Sequence, residues 1–301
     1  MALLLASGAS AQSGTAAGSG TLRIAGADSM TPFLRGWARG FERGRPGVRV
    51  EIESRGSSTG PPALLAGRAD IASMSRTMNR SELQAFRARF GGEPVAIVVA
   101  VDALAVFVHA RNPLNELSLQ QLDAIYSAKP SCGGGAPALR WGDLGVEGEY
   151  ADRRVGLYGP GPRSGADGYF REKVLCGERF RDTLRSKPGA RSIAMSVAES
   201  PYGIGIASHR GQVPGIKALA LAPGEAQPYV PLSAGEVYSR AYPLGRPFYF
   251  YLPPAGEQER DPGVVAFVEL ALSPAGQSAV EQAGYLRVPD EYLEEQLQKL
   301  R

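Results

Sequence analysis

Three short glycine- and serine-rich segments constrain this chain more than any other feature: Gly26-Ala27-Asp28-Ser29-Met30, Gly56-Ser57-Ser58-Thr59-Gly60 and Arg163-Ser164-Gly165-Ala166. The first two lie where an apolar, strand-like run gives way to a helix-like one, and the third precedes a helix-like segment. The start of a helix leaves backbone N–H groups unpaired and carries about half a positive charge. Small residues let an anion approach that backbone closely, and serine hydroxyls add donors. Three such junctions in one chain point to a site for a small, desolvated oxyanion.

The segments around these loops alternate between two periodicities. Thr21–Ala25, Val48–Glu53 and Asp70–Ala72 read as strands. Between them, residues 32–41 read as a helix with Pro32 in its first turn and Phe33, Leu34, Trp37 and Phe41 on one face. Pro61–Leu65 reads as a short helix, and Asn79 as the cap of a helix running to Phe90. Val95–Val108 is the longest apolar stretch, interrupted by Asp102; it is long for one strand and is expected to cross between two lobes. Further strands are expected at 155–158, 203–207 and 248–252. Further helices are expected at 119–126, from the third loop to Leu175, and at 192–198, 263–272, 274–283 and 290–299. This alternation predicts an α/β fold with mostly parallel sheets, whose ligands gather beyond the carboxyl ends of the strands. The early loops and the third are about 100 residues apart, which suits two lobes facing each other across a cleft.

A length of 301 residues can bury a substantial core, as one large domain or two smaller ones. The net charge of +3 is small and scattered, with no basic run or aromatic-basic alternation, so nucleic acid is not an expected partner. At the N-terminus, Ala9-Ser10-Ala11 fits the small-x-small pattern before a signal-peptide cleavage, with the cut before Gln12. Residues 1–11 therefore read as a truncated signal peptide, and 12–20 as a flexible linker; a plain Ala/Gly/Ser tail is the alternative. Export makes a disulfide between the two cysteines, Cys132 and Cys176, the expectation, against two separate buried thiols. Their spacing, and the distance between His109 and His209, argue against a metal site. Neither histidine stands in a catalytic motif, so an enzyme such as a phosphatase or serine hydrolase has little support.

Several segments together resemble the phosphate-type substrate-binding proteins of bacterial ABC transporters. They are residues 26–37 (GADSMTPFLRGW), 56–76 (GSSTGPPALLAGRADIASMSR), 141–145 (WGDLG), 242–252 (YPLGRPFYFYL) and 272–289 (LSPAGQSAVEQAGYLRVP). The resemblance implies a two-lobed periplasmic-binding-protein fold with a ligand cleft and two hinge crossovers. It implies lobe I at 21–101 and 246–301 and lobe II at 102–245. It also implies a periplasmic, monomeric receptor for inorganic phosphate, without cofactor, serving a membrane permease. Carried over by position, the ligand donors are the Ser29 hydroxyl and Met30 amide, Ser58 with Thr59 and Gly60 behind it, Ser75-Arg76, and Arg163, Ser164 and Gly165.

The third loop departs from the pattern. Arg163 stands directly before Ser164, while the expected arginine position is near Pro160, and Ala166 replaces a threonine. No carboxylate occupies the Ser75 position, which leaves Asp28 as the candidate acceptor for the proton of HPO₄²⁻. The altered loop keeps open a related receptor or sensor for sulfate, molybdate or an organic phosphate.

Overall fold

The structure, a computed structural model, describes residues 20–133, 135–224, 226–254 and 260–300. The expected signal peptide, and the linker up to residue 19, lie outside the described residues; Gly20 already belongs to the first strand. The strands are β1 (Gly20–Gly26), β2 (Val48–Ser54), β3 (Ile71–Met74), β4 (Val95–His109), β5 (Glu116–Ser118), β6 (Gly156–Pro160), β7 (Arg185–Lys187), β8 (Gly203–Ser208), β9 (Ile216–Ala218), β10 (Ala220–Ala222) and β11 (Gly245–Leu252). The helices are α1 (Thr31–Gly44), α2 (Gly60–Leu65), α3 (Arg80–Phe90), α4 (Leu119–Tyr126), α5 (Gly165–Lys173), α6 (Gly189–Ala198), α7 (Ala234–Tyr238), α8 (Pro262–Leu272), α9 (Pro274–Gln282) and α10 (Asp290–Gln298).

Local chemistry sets several of these boundaries. Asn79 Oδ1 accepts from the Glu82 amide and the Glu82 carboxylate accepts from the Asn79 amide, a reciprocal cap that starts α3. Gly91, at φ +72°, ends it in the left-handed conformation that an L side chain resists. Ser118 and Gln121 make the same reciprocal cap for α4.

The main sheet runs β2-β1-β3-β11-β4-β8-β6-β7, with β9 also paired to β4. Its wings are parallel: β1 with β2 and β3, and β6 with β7 and β8. The centre is antiparallel, because β4 and β11 run between the lobes in opposite senses. The expected parallel pairing thus holds in the wings, while the centre departs from it. With 15 residues β4 is about 50 Å long. Val95–Ala103 pairs with β11, and Leu104–His109 pairs with β8 and β9. One strand thus serves two sheets, and β11 lies beside it at the change-over.

Each side of that change-over has its own core. On one side Phe33, Trp37 and Phe41 of α1 pack on Phe248 and Phe250 of β11 and on Phe267 of α8. On the other, Tyr126, Trp141 and Phe170 pack with Ile204 and Ile206 of β8. Alternation in β11 buries Phe248 and Phe250 and leaves Tyr249 half-buried, although Tyr251 is buried too. Cys132 and Cys176 form a disulfide with Cα atoms 5.5 Å apart, within the usual range. Among the described residues no helix is long and apolar enough to cross a membrane.

Candidate anion cleft between the lobes

The first wall of the cleft comes from the ends of β1 and β2. Gly26 has φ +138°, and a Cβ there would overlap the Ser73 carbonyl, so the chain turns sharply out of the sheet. A single 3₁₀ turn, Asp28–Met30, then leads into α1. Asp28 and Ser29 line the cleft. The Ser29 hydroxyl oxygen is buried and has no hydrogen-bond partner among the described residues, while the Ser29 carbonyl accepts from the Tyr285 hydroxyl at 2.6 Å. Ser54, the last residue of β2, presents a second buried and unpartnered hydroxyl, and it too lines the cleft. Buried hydroxyls are normally paired, so two orphans on residues that line one cavity mark a place prepared for a polar guest.

The opposite wall comes from the other lobe. Ser164 caps α5 by accepting from the Asp167 amide at 3.1 Å, and Gly165 and Ala166 follow along the cleft. Neither the Gly165 nor the Ala166 amide has an acceptor among the described residues. The beginning of α6, Pro188-Gly189-Ala190, lines the same cavity with Lys187 before it. The cavity measures about 570 Å³.

Two of the glycines at which the lobes touch lie at the cleft. A Cβ on Gly165 would overlap the Ser75 hydroxyl and come within 2.5 Å of Ser57 Oγ. A Cβ on Gly56 would come within 2.5 Å of the Arg163 carbonyl. The structure is therefore a closed one, and glycine at both positions is what permits it.

Below the cleft, Arg246 of β11 donates from Nε and Nη2 to Asp102 Oδ2 at 3.0 and 2.7 Å. Asp102 Oδ1 accepts from Ser208 Oγ at 2.7 Å and from His209 Nδ1 at 3.0 Å. Arg246 Nη1 lies 3.4 Å from both Ser75 oxygens. Burial alone would push the Asp102 carboxyl up, but Arg246, with His209 and Ser208, outweighs it and holds the group below the usual carboxylate range. A second chain ties the lobes: Arg210 Nη1 donates to the Tyr285 hydroxyl at 2.9 Å, which donates to Ser29. Burial, first among the causes, pushes the Tyr285 hydroxyl up to about 12 and keeps it protonated as that donor. Among the described residues Arg55, Lys187, Arg210 and Arg246 line the cleft against one carboxylate, Asp28, so the cavity favours anions.

Residues 11–275 match the PBP superfamily domain. The Phosphate-binding protein PstS of Pseudomonas aeruginosa is 39% identical over 282 residues, covering 94% of this chain and 87% of that protein. The chain belongs to this family. Protein SphX of Synechocystis is 28% identical over 280 residues, covering 90% and 79%. Among solved structures, an ABC-type phosphate transport receptor from Vibrio cholerae shares the fold with a TM-score of 0.72 at 21% identity, covering 89% of this chain and all of that one. PstS from Borrelia burgdorferi does so at 0.63 and 17%, covering 89% and 99%. The two-lobed periplasmic-binding-protein fold expected from the resemblance is the fold found.

Within that fold, four residues expected at the site reach the cleft: Asp28, Ser29, Ser164 and Gly165. Others are placed elsewhere for definite reasons. Met30 is fully buried and its amide donates to the Ala27 carbonyl at 3.3 Å. Ser58 Oγ accepts from Arg76, and the Thr59 hydroxyl and amide both donate to the Gly56 carbonyl at 2.8 and 3.0 Å. Arg76 is buried in a two-pronged ion pair with Glu82, at 2.7 Å on each arm. Ser75 lies one layer below the cleft, between Ser57 and Arg246. Arg163 is exposed, at φ +75°, outside the cavity.

Ser54, Ser208, Arg210, Arg246 and the start of α6 line the cleft without having been expected there. One signal was available. A charged residue inside a long apolar strand needs a buried partner, and Asp102 was such a residue.

Proposed function

We infer that this chain is an extracytoplasmic solute-binding protein that captures inorganic phosphate in its inter-lobe cleft and passes it to an ABC permease. Membership of the family that includes PstS supports this reading. The observation that carries it is the pair of buried, unpartnered hydroxyls of Ser29 and Ser54, facing the free amides at the start of α5 across a cationic cleft. Binding there is by differential affinity: an anion that contacts both lobes stabilises the closed form over the open one. Lobe I is taken as 21–101 and 246–301 and lobe II as 102–245, a division supported by the change of partners along β4 near Ala103 and by the start of β11 at Gly245. The protein acts as a monomer outside the cytoplasm and binds its ligand without turning it over.

Titration calorimetry of the purified protein with phosphate tests the reading. Heat is expected with phosphate, and Ser29→Ala is expected to weaken binding by about 1.5–3 kcal/mol, the range for hydrogen bonds to charged groups. Absence of heat at millimolar phosphate overturns it. The size of the cavity, well beyond one tetrahedral anion, favours an organic phosphate as the second reading, and a phosphate monoester in the same titration tests it.

A further inference from the structure

Selecting phosphate over sulfate needs a group that accepts a hydrogen bond, because at neutral pH phosphate carries a proton and sulfate does not. N–H groups, and hydroxyls free to turn and donate such as those of Ser29 and Ser54, serve either anion; only an oxygen whose own proton is committed elsewhere tells them apart. Among the described residues Asp28 is the one carboxylate lining this cleft, and it is exposed at the surface rather than enclosed. The buried carboxylate, Asp102, is fully enclosed and does not line the cleft itself. Ser208 stands between the two environments: it is 6% exposed, lines the cleft and touches Asp102 at 2.7 Å.

A hydroxyl has one proton and two lone pairs. Asp102 accepts from Nε and Nη2 of the Arg246 guanidinium, so it is ionised and only accepts. The Ser208 proton is therefore committed to Asp102 Oδ1, and His209 Nδ1 must carry the proton it shares with the same oxygen. What remains of the Ser208 oxygen is its lone pairs.

We propose that Ser208, oriented by Asp102, is the acceptor that reads the P–OH proton of bound phosphate and so rejects sulfate. Ser208 is the specificity-determining group and Asp102 its positioning residue. Arg246 has a double part, ionising Asp102 and, through Ser75, joining the acceptor to the floor under Gly165. In place of a charged acceptor within the cavity, a neutral oxygen is made acceptor-only by a charge one layer behind it. The acceptor itself thus adds no negative charge to the cleft surface.

The inference rests on the phosphate reading above, and one titration set separates the two. Unmutated protein, Ser208→Ala and Asp28→Asn are each titrated with phosphate, sulfate and monofluorophosphate, in which fluorine replaces the hydroxyl and no proton is left at neutral pH. Unmutated protein is expected to prefer phosphate over both other anions by about 10- to 100-fold, the worth of one hydrogen bond to a charged group. Ser208→Ala is expected to lose most of that preference with sulfate binding unchanged, and Asp28→Asn to keep it. Unmutated protein that binds phosphate and monofluorophosphate equally overturns the inference, even should Ser208→Ala fail to fold. A preference intact in Ser208→Ala, or lost in Asp28→Asn alone, overturns it as well. If unmutated protein binds no phosphate at all, the phosphate reading falls and takes the inference with it.

Discussion

Arg246 and Asp102 sit directly opposite one another on the two strands that join the lobes, their side chains paired at 2.7 Å and 2% and 0% exposed. Any rotation of one lobe against the other pivots near these strands, so a fixed charge pair here holds them in register while the loops above move. Desolvating two charges is costly, and such a pair persists only with good geometry and further hydrogen bonds. Ser208, His209 and the Ser75 carbonyl supply them.

Removing one partner leaves the other charge buried. Arg246→Met is expected to destabilise the protein by about 3–5 kcal/mol, measured by urea unfolding. Adding Asp102→Asn on top of it is expected to recover most of that loss, since a neutral amide tolerates burial. A double variant as unstable as the single one would show that packing, not charge, sets the cost.

The same pair fixes a pH dependence. The folded Asp102 carboxyl titrates below its ordinary value, so its contribution to stability is fully present above the unfolded value, near 3.9, and is lost as pH falls through the folded one. Urea midpoints are therefore expected to fall below about pH 4, and to fall less steeply in the Arg246→Met/Asp102→Asn variant. Equal slopes in the two proteins would place the acid sensitivity elsewhere.

Cys132 and Cys176 close a loop with a sequence separation of 44. In the chain-entropy account this constrains the unfolded chain by about 4 kcal/mol. Reduction is expected to lower unfolding stability by about that amount and leave phosphate affinity within about twofold, because neither cysteine lines the cleft. Urea unfolding and calorimetry with and without a reductant measure both quantities.

Arg163 holds φ +75° with an exposed side chain. A residue with a Cβ is strained there by roughly 1 kcal/mol, which glycine avoids. Arg163→Gly is expected to raise stability by up to that amount and to leave phosphate affinity unchanged. A tenfold loss of affinity would restore Arg163 as a ligand.

Much of this architecture was readable from local pattern. Asn79 and Glu82 specify a helix start from four residues, and the 3.6-residue spacing of Phe33, Trp37 and Phe41 specifies a buried face. The length of Val95–Val108 announced a strand that changes lobes. Short β5, β7, β9 and β10, each of three residues, escaped because a three-residue strand has no period to read and owes its existence to its neighbours. The site was legible by loop but not by atom. The loop containing Ser58 begins at the cleft with Gly56, yet which of Ser54, Ser57 and Ser58 lines it depends on the turn at Gly56, φ +102°. Arg246 and Ser208 are brought together only by the register of β4 with β11 and β8, which pairs residues more than 100 positions apart.

Gly165 offers the sharpest test of closure itself. In the closed form its Cα lies against Ser57 and Ser75 of the opposite lobe, where an added methyl would overlap both hydroxyls. Gly165 is also the first residue of α5, a helix position that accepts alanine without backbone strain, so Gly165→Ala should not harm lobe II on its own. The penalty therefore falls on the closed state alone. Overpacking of this kind costs about 1–3 kcal/mol, which translates into phosphate binding weakened roughly 5- to 150-fold. Small-angle scattering should show the unmutated protein compacting on adding phosphate and Gly165→Ala remaining open at the same concentration. Melting temperature without ligand should change little, because closure, not folding, carries the clash. A Gly165→Ala protein that binds phosphate as tightly as the unmutated one would mean that the anion is held without contact between Gly165 and the serines across the cleft.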